Sequence, residues 1–486
     1  MASKLRIVGW VGMGALAGAL VTTQLQATAR SGAVPLPLAE LRQLATVFNI
    51  VKTDYVEPVD EKKLITDAIA GMVNALDPHS AYYDAKAWQS FREGTSGRFV
   101  GVGIEITMED GLVRVVSPIE DSPAAQAGLK TNDLITKVDD TPIKGLSIND
   151  AVKLIRGEPD TKVRLTILRR SEDRTFGVVI TRAQIKTQSV KAKMVTPDYA
   201  WVRVSQFQDR TVTDFANKLT ALYQTQPKLK GVVLDLRNDP GGLLDAAVAL
   251  SAAFLPDDVK VVSTNGQLEE SRTEYRAAAG DYWRRPGRDP IATLTQQTNG
   301  VFKRVPLVVL VNEGSASASE IVAGALQDHK RGVLMGNRTF GKGSVQTVRP
   351  LGPDTGLKLT TAFYYTPSGR SIQAKGITPD MYVDETPEGN LFAALSTREG
   401  DLSKHLETDK TAGAAKTDPK LAEQREQARE AARRKLEEER RKDPSERRLP
   451  TFGEADDFRL QQALRFMRGE SVKLSQSLGK EDGASN

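Results

Sequence analysis

Residues 308–346 read VVLVNEGSASASEIVAGALQDHKRGVLMGNRTFGKGSVQ, and their patterning decides how the chain is built. The apolar, β-branched run at 307–311 reads as a buried strand, which breaks at Asn312-Glu313-Gly314 before a helical pattern begins. Ser315, Ser317 and Ser319 therefore cluster where a strand hands over to a helix. The first N–H groups of a helix lack intrahelical partners and its dipole favours negative charge there, so an oxyanion forming near any of the three serines meets donors. Residues 332–336 read as a second buried strand, followed by Thr339-Phe340-Gly341-Lys342-Gly343. Glycines on both sides of Lys342 let the backbone close around it, which suits a lysine pointed inward.

Working outward, the 486-residue chain is 40% hydrophobic and 27% charged, enough for two or three domains and a sizeable core. Its net charge of +5 is a mild excess without a basic stripe in the globular part, which argues against nucleic acid as a partner. Cysteine is absent, so disulfides, thiol nucleophiles and thiolate metal sites are excluded. The three histidines, His79, His329 and His405, never pair at ligand spacing, so neither a metal nor any other cofactor is expected.

Lys4 and Arg6 precede a small apolar stretch at 7–21, and Ala27-Thr28-Ala29 offers an A-x-A-like cleavage site. Residues 1–29 read as an export signal, or as an uncleaved N-terminal anchor, although the apolar run is short of the roughly 20 residues a spanning helix needs. Residues 30–96 carry two amphipathic helices broken near Tyr55-Val56-Glu57-Pro58, a region suited to dimerisation. His79 sits in Leu76-Asp77-Pro78-His79-Ser80 and reads as a turn cap.

Over 97–183 the pattern changes to short strands with one helix. The loop Gly101-Val102-Gly103-Ile104, the segment SPAAQAGL at 122–129 and a capped helix ending near Arg156 resemble a PDZ domain in the same order. The resemblance implies that successive backbone N–H groups of that loop bind a C-terminal carboxylate while the next strand edge pairs with the peptide. From Tyr199 onward strands alternate with helices, which argues for a largely parallel sheet with helical crossovers. Asp235-Leu236-Arg237-Asn238-Asp239-Pro240-Gly241-Gly242 places two glycines at a strand end, where bare N–H groups can approach a ligand. The polar segment 264–304 reads as a lid or extension. Residues 418–448 form a charged helical pattern with 11 basic and 9 acidic residues, balanced enough to read as a solvated helix. Phe458, Leu460, Leu464 and Met467 give a second helix an apolar face that docks on a neighbouring subunit or on the body of the protein. Residues 479–486 read as a loose end.

A serine hydroxyl needs a base to take its proton as it attacks. No histidine stands in a suitable context, which leaves lysine, provided that it is neutral in the resting site. Lowering a lysine pKa from about 10.4 to roughly 7–8 costs on the order of 4 kcal/mol, at about 1.36 per unit, and demands burial without a carboxylate partner.

The motifs GSASASE at 314–320, TFGKGSVQ at 339–346, DLRNDPGG at 235–242 and LDPHS at 76–80 together resemble the carboxyl-terminal processing proteases, the tail-specific peptidases of family S41. The resemblance spans about 38–384. It implies an α+β multidomain chain: a ClpP/crotonase-like βα core and cap at 184–385, an inserted PDZ domain at 97–183, N-terminal helices at 30–96 and a charged helical extension at 386–486. It further implies Ser317 as nucleophile, Lys342 as base 25 residues later, and Gln346 as the residue that orients the lysine. Backbone N–H groups of Ala318 and of Gly241 or Gly242 would form the oxyanion hole, and Arg156 at the PDZ edge is a candidate for gating. The expected activity is an exported, periplasmic serine endopeptidase, with or without attachment to the inner membrane. Its partners would be protein substrates with exposed C-terminal tails, an adaptor, and further copies of the chain through the N- and C-terminal helices. Two other readings are a PDZ-bearing scaffold with a silent protease fold, and an acyl-thioester enzyme on the crotonase-like sheet; export from the coenzyme A pool argues against the second.

Overall fold

The computed structural model describes residues 36–475 apart from 110, 120–121, 388, 391–394, 396, 409–429, 432, 435–436 and 439–450. The stretches expected to be an export signal (1–29) and a loose end (479–486), and most of the one expected to be a charged helix (418–448), lie outside the described residues. The chain divides into two compact units, 1–69 and 70–486. In the first, the helix Leu38–Asp54 buries none of its residues, and Leu38, Leu41, Leu44, Val47 and Ile50 are all exposed. Among the described residues no helix is long and apolar enough to cross a membrane.

The second unit is organised by a six-stranded sheet. Its strands Tyr199–Val204, Gly231–Asp235, Leu307–Val311, Val333–Gly336 and Met381–Tyr382 run parallel in that spatial order, with Val190–Met194 antiparallel on the outer edge of the first. Gly231–Asp235 and Leu307–Val311 are buried at every position, which is why they read as unbroken apolar runs. Successive side chains still alternate between two cores. Val232, Leu234, Val309 and Val311 face the layer of crossover helices Thr211–Thr225, Leu244–Ala252 and Ala318–Asp328. Val233, Val308 and Leu310 face the other side, where the C-terminal helix Phe458–Met467 lays down Leu460, Ala463 and Leu464. Burial of each of the two leucines contributes about 1.5–3 kcal/mol, and the helix docks on the body of its own chain.

A second sheet carries Gly356–Tyr365, flanked by Ala81–Tyr83 and Lys260–Gly266, with Ser344–Pro350 also pairing to it. Thr273–Arg276 pairs back onto Lys260–Gly266, and the helix Pro290–Gln297 buries Ile291 and Leu294. The segment 264–304 is thus a hairpin and helices built into the core rather than a free lid. Its start signal was already in the sequence, since Asp289 caps the helix and Pro290 occupies its first turn.

Arg98–Gly101 pairs antiparallel with Ala183–Lys186 as a separate two-stranded ribbon, forming a neck at both ends of the segment between them. Beyond the neck stands a separate six-stranded sheet in which Ile104–Glu109 pairs only with Leu112–Pro118, leaving its outer edge open. Val113, Ile135, Leu165 and Ile167 build the core of this module together with Ala151 and Ile155 of the helix Ile148–Ile155.

Candidate active site

The strand Leu307–Val311 ends in a tight turn that delivers Ser317 to the N-cap of the helix Ala318–Asp328. Ser317 has φ 55° and ψ −111°, a left-handed backbone that a side-chain-bearing residue adopts only when its surroundings hold it there. Those surroundings are named hydrogen bonds. Ser315 Oγ donates to the Leu236 carbonyl at 2.8 Å and accepts the Asn312 N–H at 3.0 Å, while Ser319 Oγ donates to the Asp239 carbonyl at 2.9 Å. Both of these serines are fully buried and hold the turn against the neighbouring strand end. Ser317 is partly exposed, and its hydroxyl meets the Tyr364 phenol.

Lys342 reaches the same place from the other half of the stretch. The Phe340 N–H donates to the Ser315 carbonyl at 3.0 Å, so the glycine-flanked lysine is laid alongside the serine turn. Glu320 joins the halves: its Oε2 accepts the N–H of Ser317 at 2.8 Å and that of Lys342 at 2.9 Å, and its Oε1 accepts the Gly341 N–H at 2.7 Å and the Thr339 hydroxyl. Tyr364, fully buried, donates its hydroxyl to the Lys342 carbonyl. Among the described residues the Lys342 ammonium makes no ion pair. Burial pushes its pKa down to about 8, helped by the nearby Lys358 and opposed by Glu399, Glu320 and Asp77. A neutral amine is therefore accessible near physiological pH.

The glycine loop at 238–242 closes the site. A Cβ on Gly241 would lie 2.7 Å from the Ala316 carbonyl oxygen and 2.8 Å from both the Ala318 nitrogen and Ser317 Cβ, so only glycine lets the loop approach this closely. The Gly241 N–H, one of the expected oxyanion donors, is instead held by Asp239 Oδ1 at 2.8 Å. That corrects the expectation: the turn that brings the loop in uses up this donor. The N–H groups of Ala318 and Gly242 meet no acceptor among the described residues. Asp239 is fully buried, its Oδ2 has no hydrogen-bond partner, and burial pushes its pKa up to about 8.

Gln346 makes no hydrogen bond to Lys342 among the described residues. Its Nε2 donates to Ser344 Oγ at 3.0 Å and to Thr360 Oγ1 at 3.3 Å. Thr360 in turn donates to Asp77 Oδ1 at 3.1 Å, which joins the LDPHS turn to this network. His79 Nε2 lies within hydrogen-bond distance of Glu399 Oε2 at 2.7 Å, a contact beyond its own turn, and neither His329 nor His405 bonds to Ser317 among the described residues. Arg156 binds Glu93 at 2.8 Å and sits over the Phe99 ring at 4.9 Å, tying the PDZ-like module to the helix Ala85–Ser96 at its neck. In the loop 101–104 the Val102 carbonyl accepts from Ala124 N at 2.9 Å and the Gly103 carbonyl from Ser122 Oγ at 2.9 Å. The N–H groups of Val102 and Gly103 have no acceptor among the described residues.

Glu320 and Tyr364 were not singled out from sequence. Glu320 carries a signal, since S-x-x-E is the capping-box spacing at a helix start; Tyr364 carries none, being a strand residue whose neighbours are set by tertiary packing. No cluster of metal-ligating side chains occurs among the described residues.

Family models match the chain in three places: peptidase family S41 at 198–383, a PDZ domain at 114–169, and the N-terminal domain of the activating protease CtpB at 10–87. A carboxy-terminal-processing protease of Bartonella bacilliformis is 44% identical over 383 residues, covering 77% of this chain and 83% of that protein. The Staphylococcus aureus protein named "Probable CtpA-like serine protease" is 37% identical over 379 residues, covering 76% of this chain and 71% of its own. The solved photosystem II D1 C-terminal processing protease is 32% identical with a TM-score of 0.40, covering 68% of this chain and 84% of that one. With the serine turn, the glycine-flanked lysine beside it and the PDZ module ahead of both in the chain, the chain belongs to peptidase family S41 and is a serine peptidase of the carboxy-terminal-processing type.

Proposed function

We propose that this peptidase is exported and cuts protein substrates near their C-terminal tails with a Ser317–Lys342 dyad. The observation that carries the reading is Glu320, whose single oxygen Oε2 holds the backbones of Ser317 and Lys342 together. In the reaction, Ser317 Oγ attacks the scissile carbonyl as its proton passes to the neutral Lys342 Nζ. The carbonyl oxygen becomes an oxyanion that accepts the Ala318 and Gly242 N–H groups, and loss of one such donor typically costs about 10²–10³ in rate. Lys342 returns the proton to the departing amine. A water gives a proton to the same lysine as it attacks the acyl-enzyme; the ester bond to Ser317 Oγ breaks, Lys342 passes that proton to Ser317 Oγ, and the shortened substrate leaves with a new carboxyl terminus.

Tail selection falls to the PDZ module. The N–H groups of Val102 and Gly103, without an acceptor among the described residues, suit a terminal carboxylate, and the open edge of Ile104–Glu109 suits an added peptide strand. The Arg156–Glu93 contact at the neck supports gating by this module, since Glu93 lies on the helix that leads from the core into it. Export rests on the basic start, apolar stretch and A-x-A site at 1–29, with the periplasm as destination. The exposed apolar face of Leu38–Asp54 supports assembly with another copy or an adaptor, whereas the apolar face of the C-terminal helix is already occupied.

The test is cleavage of an unstructured protein with a free C terminus. Ser317→Ala and Lys342→Ala are each expected to abolish it, and amidation of the substrate's terminus is expected to slow it. Undiminished cleavage by either variant would remove the dyad.

A further inference from the structure

The loop that contributes Gly242 is gripped from an unexpected direction. Arg237, the residue after the strand end Asp235-Leu236, is 2% exposed and lies between two fully buried carboxylates. It donates Nε to Asp235 Oδ1 at 2.9 Å and Nη2 to Asp235 Oδ2 at 2.6 Å. On its other side it donates Nη1 to Asp457 Oδ1 at 2.9 Å and Nη2 to Asp457 Oδ2 at 2.6 Å, across 220 residues of sequence. Asp457 is itself fixed, capping the C-terminal helix through Leu460 N at 3.3 Å and accepting Gly453 N at 2.9 Å. The Phe452 ring lies 4.1 Å from the Arg237 guanidinium carbon and 4.6 Å from that of Arg203.

We propose that Asp457 is a positioning residue of the active site, fixing the oxyanion loop through Arg237, so that the C-terminal segment 452–467 is a working part of the catalytic apparatus. The loop 238–242 is pinned on one side to the serine turn, where the Asp239 carbonyl accepts Ala316 N and Ser319 Oγ at 2.9 Å each. Phe207 holds its far end, donating to the Gly241 carbonyl and accepting the Leu243 N–H at 2.9 Å each, and Asn312 holds Asn238. The near end, where the loop leaves the strand, is fixed by Arg237, and half of that grip is Asp457. Packing of Leu460, Ala463 and Leu464 already docks the helix, and a buried ion pair returns little net stability once desolvation is counted. What a doubly bidentate guanidinium does supply is a fixed orientation. A small displacement of the loop would move the Gly242 N–H off the developing oxyanion, and misplacement by about 1 Å typically costs on the order of 10²-fold in rate.

This inference rests on the proposed catalytic role of Ser317 and Gly242, and the experiment separates the two. In the full-length protein, Asp457→Asn keeps the side-chain shape and removes the charge. Leu464→Ala weakens docking of the same helix without touching the ion pair. Turnover is measured per folded molecule, with the folded fraction taken from the calorimetric unfolding enthalpy. Asp457→Asn is expected to lower kcat by about 10- to 100-fold with KM within about twofold of the parent, and Leu464→Ala to lower Tm while keeping kcat. Phe452→Leu, a milder change that leaves Asp457 in place, is expected to lower kcat about threefold to tenfold and serves if Asp457→Asn does not fold. The proposal is overturned by kcat within twofold of the parent in Asp457→Asn, by unchanged kcat in Phe452→Leu, or by an equal loss of kcat in Leu464→Ala. With Ser317→Ala inactive, any of those results removes only the role of Asp457; cleavage by Ser317→Ala removes the dyad itself.

Discussion

Glu320 Oε2 lies 2.8 Å from the Ser317 amide nitrogen, and the same atom accepts the Lys342 N–H at 2.9 Å. One buried carboxylate thus sets the relative position of the two halves of the proposed dyad. A glutamine at 320 would present one carbonyl oxygen, enough for one face, while its amide N–H₂ would confront donors on the other. Hydrogen bonds to charged groups contribute about 1.5–3 kcal/mol each, so Glu320→Gln is expected to lower kcat by about 10- to 100-fold. Steady-state kinetics on a protein whose unfolding remains cooperative would check this. Stability should shift as well. Burial raises the Glu320 pKa from 4.5 to about 7, so in that window the folded chain keeps a proton that the unfolded chain has lost. Its stabilising effect is complete below about 4.5 and is lost as pH rises through about 7, and Glu320→Gln should flatten that part of the stability profile.

The base makes its own prediction. Burial lowers the Lys342 pKa to about 8, and only the neutral amine can accept the serine proton. Through this group, activity read as kcat/KM is expected to rise tenfold per pH unit well below about 8, and the gain from further deprotonation ends above it. A profile already flat between pH 5 and 7 would exclude Lys342 as the base. The stability sign is opposite to that of Glu320: the folded state resists protonating this lysine, so the penalty is present below about 8 and disappears as pH rises toward 10.5.

Asp239 is expected to impose the alkaline limit. Its carboxyl is fully buried, Arg203 attracts its charged form while Asp235 repels it, and desolvation dominates, raising its pKa to about 8. Ionisation there places a second negative charge at the loop that must stabilise an oxyanion. Combined with the rise through the Lys342 pKa, this gives a narrow optimum near pH 8. Asp239→Asn keeps an oxygen for the Gly241 N–H and cannot ionise. It is expected to retain kcat within about threefold at pH 7, since one hydrogen bond contributes about 0.5–1.5 kcal/mol net, and to lose the alkaline decline. A decline that survives in Asp239→Asn would assign it to another group.

Much of this was legible because the deciding patterns are local. The runs at 231–235 and 307–311 announce strands buried on both faces, and the serine-to-helix handover announces an N-terminal anion site. What periodicity alone left open was which serine acts, and geometry explains why: the hydroxyls of Ser315 and Ser319 bond to carbonyls of a strand end some 80 residues earlier, contacts that no window of sequence contains. The same holds for Arg237 and Asp457, and for the helix Phe458–Met467, whose apolar face fits a neighbour or its own sheet equally well on paper. Gln346 followed family likeness to Lys342, whereas its strand register turns it toward Ser344 and Thr360. Gly241 failed as a donor because an Asx turn at Asp239 consumes its N–H, a conflict visible in the D-P-G order only once the turn is specified.

The loop 101–104 allows the tail-binding step to be tested apart from catalysis. Gly103 has φ +82°, and a Cβ there would fall 2.3 Å from Ser122 Cβ, whose hydroxyl holds the Gly103 carbonyl at 2.9 Å. Gly103→Ala must therefore either shift Ser122 or flip the peptide plane, and both outcomes disturb the N–H groups of Val102 and Gly103 that would face a carboxylate. The main core lies beyond the neck 98–101 with 183–186 and should be untouched. In calorimetric titration of the full chain carrying Ser317→Ala, a peptide with a free C terminus is expected to bind. Amidation of the peptide and Gly103→Ala are each expected to weaken binding by at least about tenfold, the loss of a charge-assisted hydrogen bond of about 1.5–3 kcal/mol. Equal binding of free and amidated peptides would mean that the module reads side chains along the Ile104–Glu109 edge rather than a terminus, and the enzyme would then select internal segments rather than tails.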